Sequence, residues 1–535
     1  MVKWSRRSPL TAESGVRSPL AIPVNRRQIG GYFLLNLKNR GVMMIKYVST
    51  RGSEKVLTGA QAIIAGIADD RGLYLPTSIP TITASLEDIA DMDYQQIAKI
   101  VLSAFLTDYT EDEINSCVEK AYDEKFDNPE IVPIVKKDGV HFLELYHGST
   151  SAFKDMALSI LPHLLTTAMK KEGEDKKICI LTATSGDTGK AALAGFADVE
   201  NTEIIVFFPN NGVSAVQEKQ MTTQEGSNVH VYAIEGNFDD AQSGVKEIFA
   251  NDDFAYELAK KGYKLSSANS INIGRLLPQI AYYVYGYARL VANGEIKAGD
   301  EVNVAVPTGN FGNILAAYFA KLIGIPFAKF ICASNQNRVL TDFFEWGVYD
   351  KNRMFYLTNS PSMDILISSN LERLLYLLAR GNAEEVRYLM NSLEESGCYD
   401  ISDEMRDRLC DFYGGSCDTE ETEAAIKKMY EENGYLIDTH TAVAYKVYCD
   451  YREKTGDSKP VLLASTASAY KFAESVGKAI GIDEELNGFD FIKKINEMTG
   501  LAVPKGLKDL DRKKVLHDEI IQKTQMIDAV RNSLI

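Results

Sequence analysis

The sequence lacks the features that mark several large classes of protein. Its seven cysteines among 535 residues are odd in number, scattered and without a C-x-x-C pair, so they indicate neither a disulfide framework nor a metal site. No apolar run approaches the roughly 20 residues that a membrane-spanning helix needs. The net charge of -16 argues against a general affinity for nucleic acid. These absences favour a cytoplasmic protein that binds neither membrane nor nucleic acid.

The first 43 residues differ in composition from the rest, with eight Lys or Arg and the single acid Glu13. A transit peptide is typically rich in Arg and Ser and poor in acids. The stretch shows no clear amphipathic period, however, and translation from Met43 or Met44 explains it as well. We favour the later start and leave residues 1–43 out of the fold prediction as an extension that is disordered or not translated natively.

From about residue 140 onward, β-rich runs alternate with stretches of helical period. Such alternation predicts βα units that form parallel sheets, in which ligands collect where strand carboxyl ends meet helix amino termini. The runs are VHFLELY, KKICILTAT, TEIIVFFP, NVHVYAIEG, EVNVAVPTG and KPVLLAST.

This pattern predicts an α/β protein with two doubly wound open-sheet domains behind a mainly helical N-terminal domain. The length of the chain favours two or three domains. We place the N-terminal domain at 44–130, the α/β region at 131–480 with a helical insertion at about 370–432, and a helical tail at 481–535.

Three of the strand ends carry small polar residues. TATSGDTGKAA (182–192) and GNFGN (309–313) each link a strand to a helix, where free N–H groups and the helix dipole favour a phosphate or carboxylate. Ser465 and Thr466 end a third, buried strand. Each feature also has a plain structural explanation as a helix cap or a glycine turn, and GNFGN matches no nucleotide-binding motif.

Lys154 stands where HGSTSAFKD turns into a predicted helix. A lysine at a helix start is mildly disfavoured by the dipole, whereas a buried lysine has a lowered pKa and becomes a nucleophile toward carbonyl groups. A covalent bond to the aldehyde of pyridoxal phosphate explains the position, with the cofactor phosphate on the glycine loop and a strand-end hydroxyl at the ring nitrogen. A solvent-facing lysine is the structural alternative.

Five segments together resemble the threonine synthase family, of the longer microbial and fungal type. They are YVSTRG…GLYLP, HGSTSAFKD, TATSGDTGKAA, SANSINIGRLLPQIAYY and VPTGNFGN, and they occur in the family's order over residues 44 to about 480. The resemblance implies a fold type II pyridoxal-phosphate enzyme of the tryptophan-synthase-β-like class. Two segments depart from the family pattern: Ser149 replaces a proline, and Ser468 and Ala469 replace a His-Pro pair.

The resemblance also implies roles for individual residues. Lys154 is expected to be catalytic and to hold the cofactor together with Gly309, Asn310, Phe311, Gly312, Asn313, Thr466 and Asp187. The substrate is expected to contact Thr184, Ser185, Thr188, Lys219, Asn269, Ser270, Asn272 and Arg275.

The implied reaction eliminates phosphate from O-phospho-L-homoserine and adds water to give L-threonine. Two alternatives stay open: another lyase of the same fold, such as a phospho-lyase or a serine or threonine dehydratase, and a ligand-binding relative without turnover. Arg275 favours a phosphorylated substrate because its guanidinium presents a planar fork to phosphate oxygens. The retained Lys154 argues against the non-catalytic alternative. The sequence does not indicate an oligomeric state.

Overall fold

The structure, a computed structural model, describes residues 44–184 and 186–535. The prediction for residues 1–43 therefore lies outside the described residues. Among those described, no helix combines the length and apolar character that crossing a membrane would require.

Fifteen strands are present in the described part of the chain. In chain order they are β1 (Tyr47–Ser49), β2 (Tyr74–Pro76), β3 (Ile134–Lys137), β4 (Val140–Glu144), β5 (Lys177–Ala183), β6 (Thr202–Pro209), β7 (Val229–Glu235), β8 (Tyr263–Ser266), β9 (Val302–Pro307), β10 (Phe327–Ser334), β11 (Val348–Asp350), β12 (Cys398–Asp400), β13 (Phe412–Ser416), β14 (Val461–Ser465) and β15 (Ile520–Gln522).

The helices surround two sheets built from these strands. They are α1 (Gly59–Ala65), α2 (Leu86–Ala90), α3 (Tyr94–Phe105), α4 (Glu111–Ala121), α5 (Lys154–Leu158), α6 (Leu161–Glu172), α7 (Asp187–Phe196), α8 (Ala215–Thr222), α9 (Phe238–Phe249), α10 (Asp252–Lys260), α11 (Ile273–Ala292), α12 (Gly312–Leu322), α13 (Val339–Trp346), α14 (Leu371–Leu378), α15 (Ala383–Glu395), α16 (Asp403–Asp407), α17 (Thr419–Asn433), α18 (Thr439–Thr455), α19 (Ala473–Ala479), α20 (Gly488–Thr499) and α21 (Met526–Leu534). Short 3₁₀ helices include Pro361–Met363 and Ala469–Phe472.

Two sheets carry the α/β part of the fold. The larger has the strand order β13-β10-β9-β14-β4-β3 and is parallel except for the edge strand β3. The smaller is wholly parallel, with the order β15-β7-β6-β5-β8. Strands β4, β9 and β14 are buried along their whole lengths, as expected for parallel strands covered by helices on both faces. The predicted fold class of two open α/β sheets is confirmed.

The N-terminal part is mainly helical, as predicted. Its helices begin with side-chain caps, and Thr58, Ser85, Asp93 and Thr110 each form a reciprocal capping box, which satisfies backbone donors that a helix start leaves free. Helices α2 and α3 pack against the long buried helix α11, so this part is joined to the α/β core through shared apolar surface.

Three strands occur where the sequence predicted helix. Strands β12 and β13 lie inside the predicted insertion at 370–432; β12 pairs with β11, and β13 pairs with β10 in the larger sheet. Strand β15 lies inside the predicted helical tail and pairs with β7 in the smaller sheet. All three are short, and tertiary pairing determines their conformation. The division into domains with the boundaries given above stays a prediction.

Candidate functional site

Lys154 lies in a buried position at the first residue of helix α5. Its side chain is 12% exposed, and Nζ lies 3.5 Å from Asp187 Oδ2. Burial is the main cause that lowers the pKa of this amine; Asp187 opposes the shift, and Lys471 and Arg275 add to it. A lysine with a lowered pKa supplies more of the neutral, nucleophilic form at neutral pH. The structure thus excludes the solvent-facing alternative for Lys154.

Asp187 begins helix α7 and lies between two lysines. Its Oδ1 is 3.1 Å from Lys471 Nζ and accepts a hydrogen bond from Gln217 Nε2 at 2.9 Å. Burial disfavours the charged carboxylate, but Lys471, Lys154 and Gln217 together hold the pKa of Asp187 well below its usual range. The site therefore contains a permanent buried anion beside the Lys154 amine.

Lys471 is a site residue that the sequence did not single out. Its side chain is 0% exposed, and Nζ also donates to the Thr150 carbonyl at 2.8 Å. Ser468, one of the departures from the family pattern, precedes the 3₁₀ helix Ala469–Phe472 that presents this lysine. The signal in the sequence was a lysine within the apolar run that follows a buried strand.

The turn before helix α12 exposes a row of backbone donors. The N–H groups of residues 309–313 donate no hydrogen bond to any residue that the structure describes. Phe311 has a positive φ of 64°, and successive free N–H groups in such a turn form a concave anion-binding nest. The side-chain Nδ2 of Asn313 is buried and also has no partner among the described residues. This arrangement fits a phosphate group.

In the turn before helix α7, a side chain of the turn itself engages some of the backbone donors. Thr184 Oγ1 accepts from the N–H groups of Gly186 (3.0 Å) and Gly189 (2.9 Å). The N–H groups of Asp187 and Thr188 donate to no described residue. Ser185 lies outside the described residues. Two amides thus remain for a carboxylate, while the Thr184 hydroxyl serves the helix start itself.

Arg275 is a buried cation at the start of helix α11. Its side chain donates from Nη1 to the Ala268 carbonyl at 2.9 Å, and Nε has no partner among the described residues. Burial lowers the pKa of this guanidinium. A buried guanidinium with a free donor and no described carboxylate within ion-pair distance is poised for an anion.

The other residues predicted to contact substrate differ in how free they are. Asn272 is engaged, because Oδ1 accepts from Gly274 N at 2.8 Å and Nδ2 donates to the Ile63 carbonyl at 3.0 Å. Ser270 is half-buried, and Asn269 is exposed. Lys219, in helix α8, is half-buried, with no ion pair to a described residue. Asn272 therefore connects the N-terminal part to this loop, while the roles of the other three stay predictions.

Thr466 follows strand β14 and is 5% exposed. Its carbonyl accepts from Phe153 N at 2.8 Å, which places the strand end directly against the segment that carries Lys154. The neighbouring Ser465 hydroxyl is 3.1 Å from Thr441 Oγ1. The structure thus brings the predicted hydroxyl and the predicted amine to the same edge of the larger sheet.

Two histidines near the site have structural partners. The His147 ring nitrogens lie 2.6 Å from Asp127 Oδ1 and 2.9 Å from Glu144 Oε2. Burial opposes protonation of His147, but the two carboxylates raise its pKa to about 9. Both ring nitrogens of His147 are therefore engaged by carboxylates.

The Nδ1 atom of His440 lies 2.8 Å from Asp438 Oδ2. The Nε2 atom of His440 accepts a hydrogen bond from the backbone N–H of Ser362 at 3.1 Å. Ser362 in turn lies beside Asp187, with 3.3 Å between Oγ and Oδ2. His440 therefore supports the 3₁₀ helix Pro361–Met363 at the edge of the site.

Three family models match the chain. They are the threonine synthase N terminus over residues 46–122, the pyridoxal-phosphate dependent enzymes over residues 129–466, and the threonine synthase C-terminal region over residues 441–526. The second of these covers more than half of the chain and includes the amine, both glycine turns and Arg275.

Individual proteins also resemble this chain. Threonine synthase of Schizosaccharomyces pombe is 36% identical over 475 residues, which cover 83% of this chain and 91% of that protein. Human threonine synthase-like 1 is 41% identical, and the match covers 79% of this chain but only 58% of the length of that protein. The crystal structure of pyridoxal-phosphate-bound threonine synthase from Brucella melitensis superposes with a TM-score of 0.81 at 37% identity, covering 91% of this chain and 99% of that one.

Proposed function

The chain belongs to the threonine synthase family of pyridoxal-phosphate dependent enzymes, and we propose that it converts O-phospho-L-homoserine and water into L-threonine and phosphate. The observation that carries the proposal is the buried Lys154 amine. Near it lies Arg275, a buried arginine with no carboxylate partner among the described residues, and the same site contains the 309–313 turn, whose amides donate to no described residue. A dehydratase acting on an unphosphorylated amino acid would have no use for a second phosphate-binding group.

The residues present fit pyridoxal phosphate. Lys154 would supply the amine for the covalent bond to the cofactor aldehyde, and the amides of residues 309–313 with Asn313 Nδ2 would receive its phosphate. Thr466 would contribute its hydroxyl to holding the cofactor ring. When bound, the cofactor delocalises the negative charge that develops on the substrate carbon.

Lys154 also moves protons in the proposed reaction. With substrate bound in the site, Nζ of Lys154 would accept the proton from the substrate α-carbon. This step needs a neutral amine, which burial promotes. Asp187 remains ionised beside it and stabilises the ammonium form that results. The lysine can then return a proton when the product forms.

Arg275 binds the substrate phosphate in this proposal. Its Nε–H has no partner among the described residues and offers a charge-assisted hydrogen bond to a phosphate oxygen. Asn269, Ser270 and Lys219 add further donors for the phosphate. The amides of Asp187 and Thr188, which donate to no described residue, receive the substrate carboxylate. Loss of a proton from the β-carbon accompanies loss of phosphate from the γ-carbon. The γ-carbon then gains a proton, water adds its hydroxyl at the β-carbon, and reprotonation of the α-carbon gives L-threonine.

We further propose that the protein acts in the cytoplasm and interacts with neither nucleic acid nor membrane. The net charge of -16 supports the first of these exclusions, since phosphate backbones favour basic surfaces.

The test is an assay of the purified protein, reconstituted with pyridoxal phosphate, on O-phospho-L-homoserine. We expect phosphate and L-threonine in equal amounts. Phosphate without threonine would favour the phospho-lyase alternative, and keto-acid formation from L-serine or L-threonine would favour the dehydratase. Cofactor binding without turnover of any of these substrates would favour the non-catalytic relative.

A further inference from the structure

The start of helix α14 lies between two anion-binding loops, and the proposed function makes no use of it. Asn370 immediately precedes this helix, and Arg373 lies in its first turn. Both side chains belong to residues that are 0% exposed. One loop is the turn 309–313, proposed for the cofactor phosphate, and the other is the segment 269–272 before Arg275.

On the cofactor side, the consecutive carbonyl groups of Gly309 and Asn310 accept hydrogen bonds from residues at the start of α14. Asn370 donates to the Asn310 carbonyl twice, from its backbone N–H (3.1 Å) and from Nδ2 (3.0 Å). Ser368 Oγ donates to the Gly309 carbonyl at 2.7 Å. In a trans peptide the C=O and the following N–H point in opposite directions. Anchoring these carbonyls therefore aims the N–H groups of Asn310 and Phe311 away from α14, which leaves them free for an anion.

On the substrate side, the contacts come from Arg373. Its Nη2 donates to the Ile271 carbonyl at 2.6 Å, and its Nε donates to the Tyr74 carbonyl at 3.1 Å. Its Nη1 donates to Asn370 Oδ1, and Asn370 Nδ2 also lies 3.4 Å from Ser270 Oγ. The two side chains thus form one continuous bridge between the loops.

The charge of Arg373 has no described partner of opposite sign within ion-pair distance. The adjacent Glu372 is engaged elsewhere, since it accepts from Thr50 Oγ1 (2.5 Å) and from Arg51 Nε (2.9 Å) and Nη2 (2.8 Å). A buried cation solvated only by neutral oxygens is costly. That cost is reduced when anions occupy the loops on either side, so the charge favours binding of phosphate groups near it.

Asn370 is also unusual as the residue that caps a helix. Asn is strongly preferred at this position because its side-chain oxygen accepts from the first turn of the helix. Here the side chain makes no cap hydrogen bond, and both of its polar atoms serve Arg373 and the loops. The helix start gives up one stabilising contact in favour of this bridge.

We propose that Asn370 and Arg373, assisted by Ser368, are positioning residues that hold the cofactor-phosphate turn and the substrate-phosphate loop at a fixed separation and orientation. This inference rests on the proposed function only in taking both ligands to be phosphorylated. The residues act through the amides of 309–313 and through the 269–272 loop, and they touch neither ligand.

The experiment compares Asn370→Ala and Arg373→Lys with Glu372→Gln as the matched control. Glu372 is 5% exposed, lies on the same helix and belongs to a buried network, but it contacts neither loop. Dissociation constants of pyridoxal phosphate and of unphosphorylated pyridoxal are measured by absorbance titration of the cofactor-free protein, without substrate. We expect pyridoxal phosphate to bind about tenfold more weakly to the two variants, the effect of losing one or two buried hydrogen bonds.

The comparison with pyridoxal identifies the cause. Its affinity is expected to stay within about twofold of wild type in all variants, because it lacks the group that the turn receives. Glu372→Gln is expected to lower the free energy of unfolding while leaving both affinities unchanged. Equal weakening of the two cofactors, or a loss in Glu372→Gln as large as in Arg373→Lys, would show that α14 acts only through general stability and would overturn the proposal.

Ser368→Ala keeps the test available if the buried variants do not fold. It removes a single hydrogen bond and leaves no buried charge unpaired, and we expect a several-fold loss of affinity for pyridoxal phosphate alone. Unchanged affinity in this folded variant would contradict the anchoring of the turn. Because the cofactor titrations do not use O-phospho-L-homoserine, absence of threonine formation would overturn the proposed function without affecting their result.

In the active enzyme, Arg373→Lys is further expected to raise KM for O-phospho-L-homoserine more than it lowers kcat. The loop that carries Arg275 would lose its anchor while the Lys154 amine stays in place. A fall in kcat with unchanged KM would count against the connection to the substrate loop.

Discussion

The turns before helices α12 and α7 look alike in sequence but are built differently. Both join a buried parallel strand to a helix through glycine and polar residues. At α12 the amides are free because neutral groups from outside, Ser368 and Asn370, hold the carbonyls behind them. At α7 the Thr184 hydroxyl accepts hydrogen bonds from two amides, and the charge of Lys471 holds Asp187 in place.

The difference shows what a glycine-rich turn needs before it can bind an anion. Glycine permits the backbone to come close to a ligand, but the direction of the N–H groups depends on what the carbonyls contact. A hydroxyl just before the turn can consume the same donors. The α12 turn thus suits a fully ionised phosphate held by the backbone, while the α7 turn suits a smaller carboxylate and otherwise positions Asp187 against Lys154.

Replacing the amine in this site is expected to have the largest effect. Lys154→Ala should reduce turnover by on the order of 10³-fold or more, since it removes both the covalent attachment and the proton carrier. The visible absorbance band of the bound cofactor should disappear. Thermal unfolding should show a folded protein, because loss of a buried amine leaves Asp187 paired with Lys471. Retention of the band would contradict the assignment of Lys154.

The second-largest effect is expected from a substitution that crowds the α12 turn. A Cβ at Gly309 would lie 2.7 Å from the Ser362 carbonyl oxygen, so Gly309→Ala must shift the turn. We expect affinity for pyridoxal phosphate to fall by about ten- to a hundredfold, the equivalent of the 1–3 kcal/mol that overpacking costs. Gly488→Ala is the control, because a Cβ there meets only an ordinary contact at 3.4 Å.

Removing the charge of Asp187 tests whether ion pairing stabilises the α7 turn. Asp187→Asn leaves Lys471 buried without an anion, and we expect a loss of about 3 kcal/mol in the free energy of unfolding at pH 7. Because the pKa of Asp187 is lowered in the folded state, its contribution is complete above pH of about 4 and declines as the pH falls further. The difference in the free energy of unfolding between the variant and the wild type should therefore become smaller as the pH falls below about 4. A constant difference would show that the charge is unimportant.

The smallest effect is expected from the hydroxyl that closes the α7 turn. Thr184→Val keeps the shape of the side chain but removes the acceptor for two amides. The free energy of unfolding, measured in urea, should fall by about 1–2 kcal/mol. Thr184→Ser retains the oxygen and should lose less. If both variants kept full stability but lost substrate affinity, the hydroxyl would be a substrate contact and the contrast between the turns would weaken.

Local sequence pattern was sufficient for the parts of the fold that depend on burial. The six predicted strands correspond to β4, β5, β6, β7, β9 and β14, because continuous apolar runs with turn residues at their ends are typical of buried parallel strands. Strand β13 was missed since its two glycines lie in an acid-rich helical stretch, and its conformation depends on pairing with β10.

The site was predictable where one segment carries the chemistry. Lys154 and the 309–313 turn stand out because amine, glycine and polar residues are close in sequence. Lys471 and Arg373 could not be found in this way, since contacts that place them come from distant parts of the chain. Asp187 lies 284 residues from Lys471, and Tyr74 lies 299 residues from Arg373. Asn272 shows the converse, because nothing in its own segment reveals that its amide is already engaged by Ile63.

Strand β15 has a consequence for how this chain is made. It covers the β7 edge of the smaller sheet, yet it follows β7 only after the whole larger sheet has been synthesised. During translation the β7 edge therefore presents unpaired backbone groups that other nascent chains can join. A ribosome that stalls before residue 520 would release a product prone to aggregation, although every residue of the proposed catalytic site would already be present.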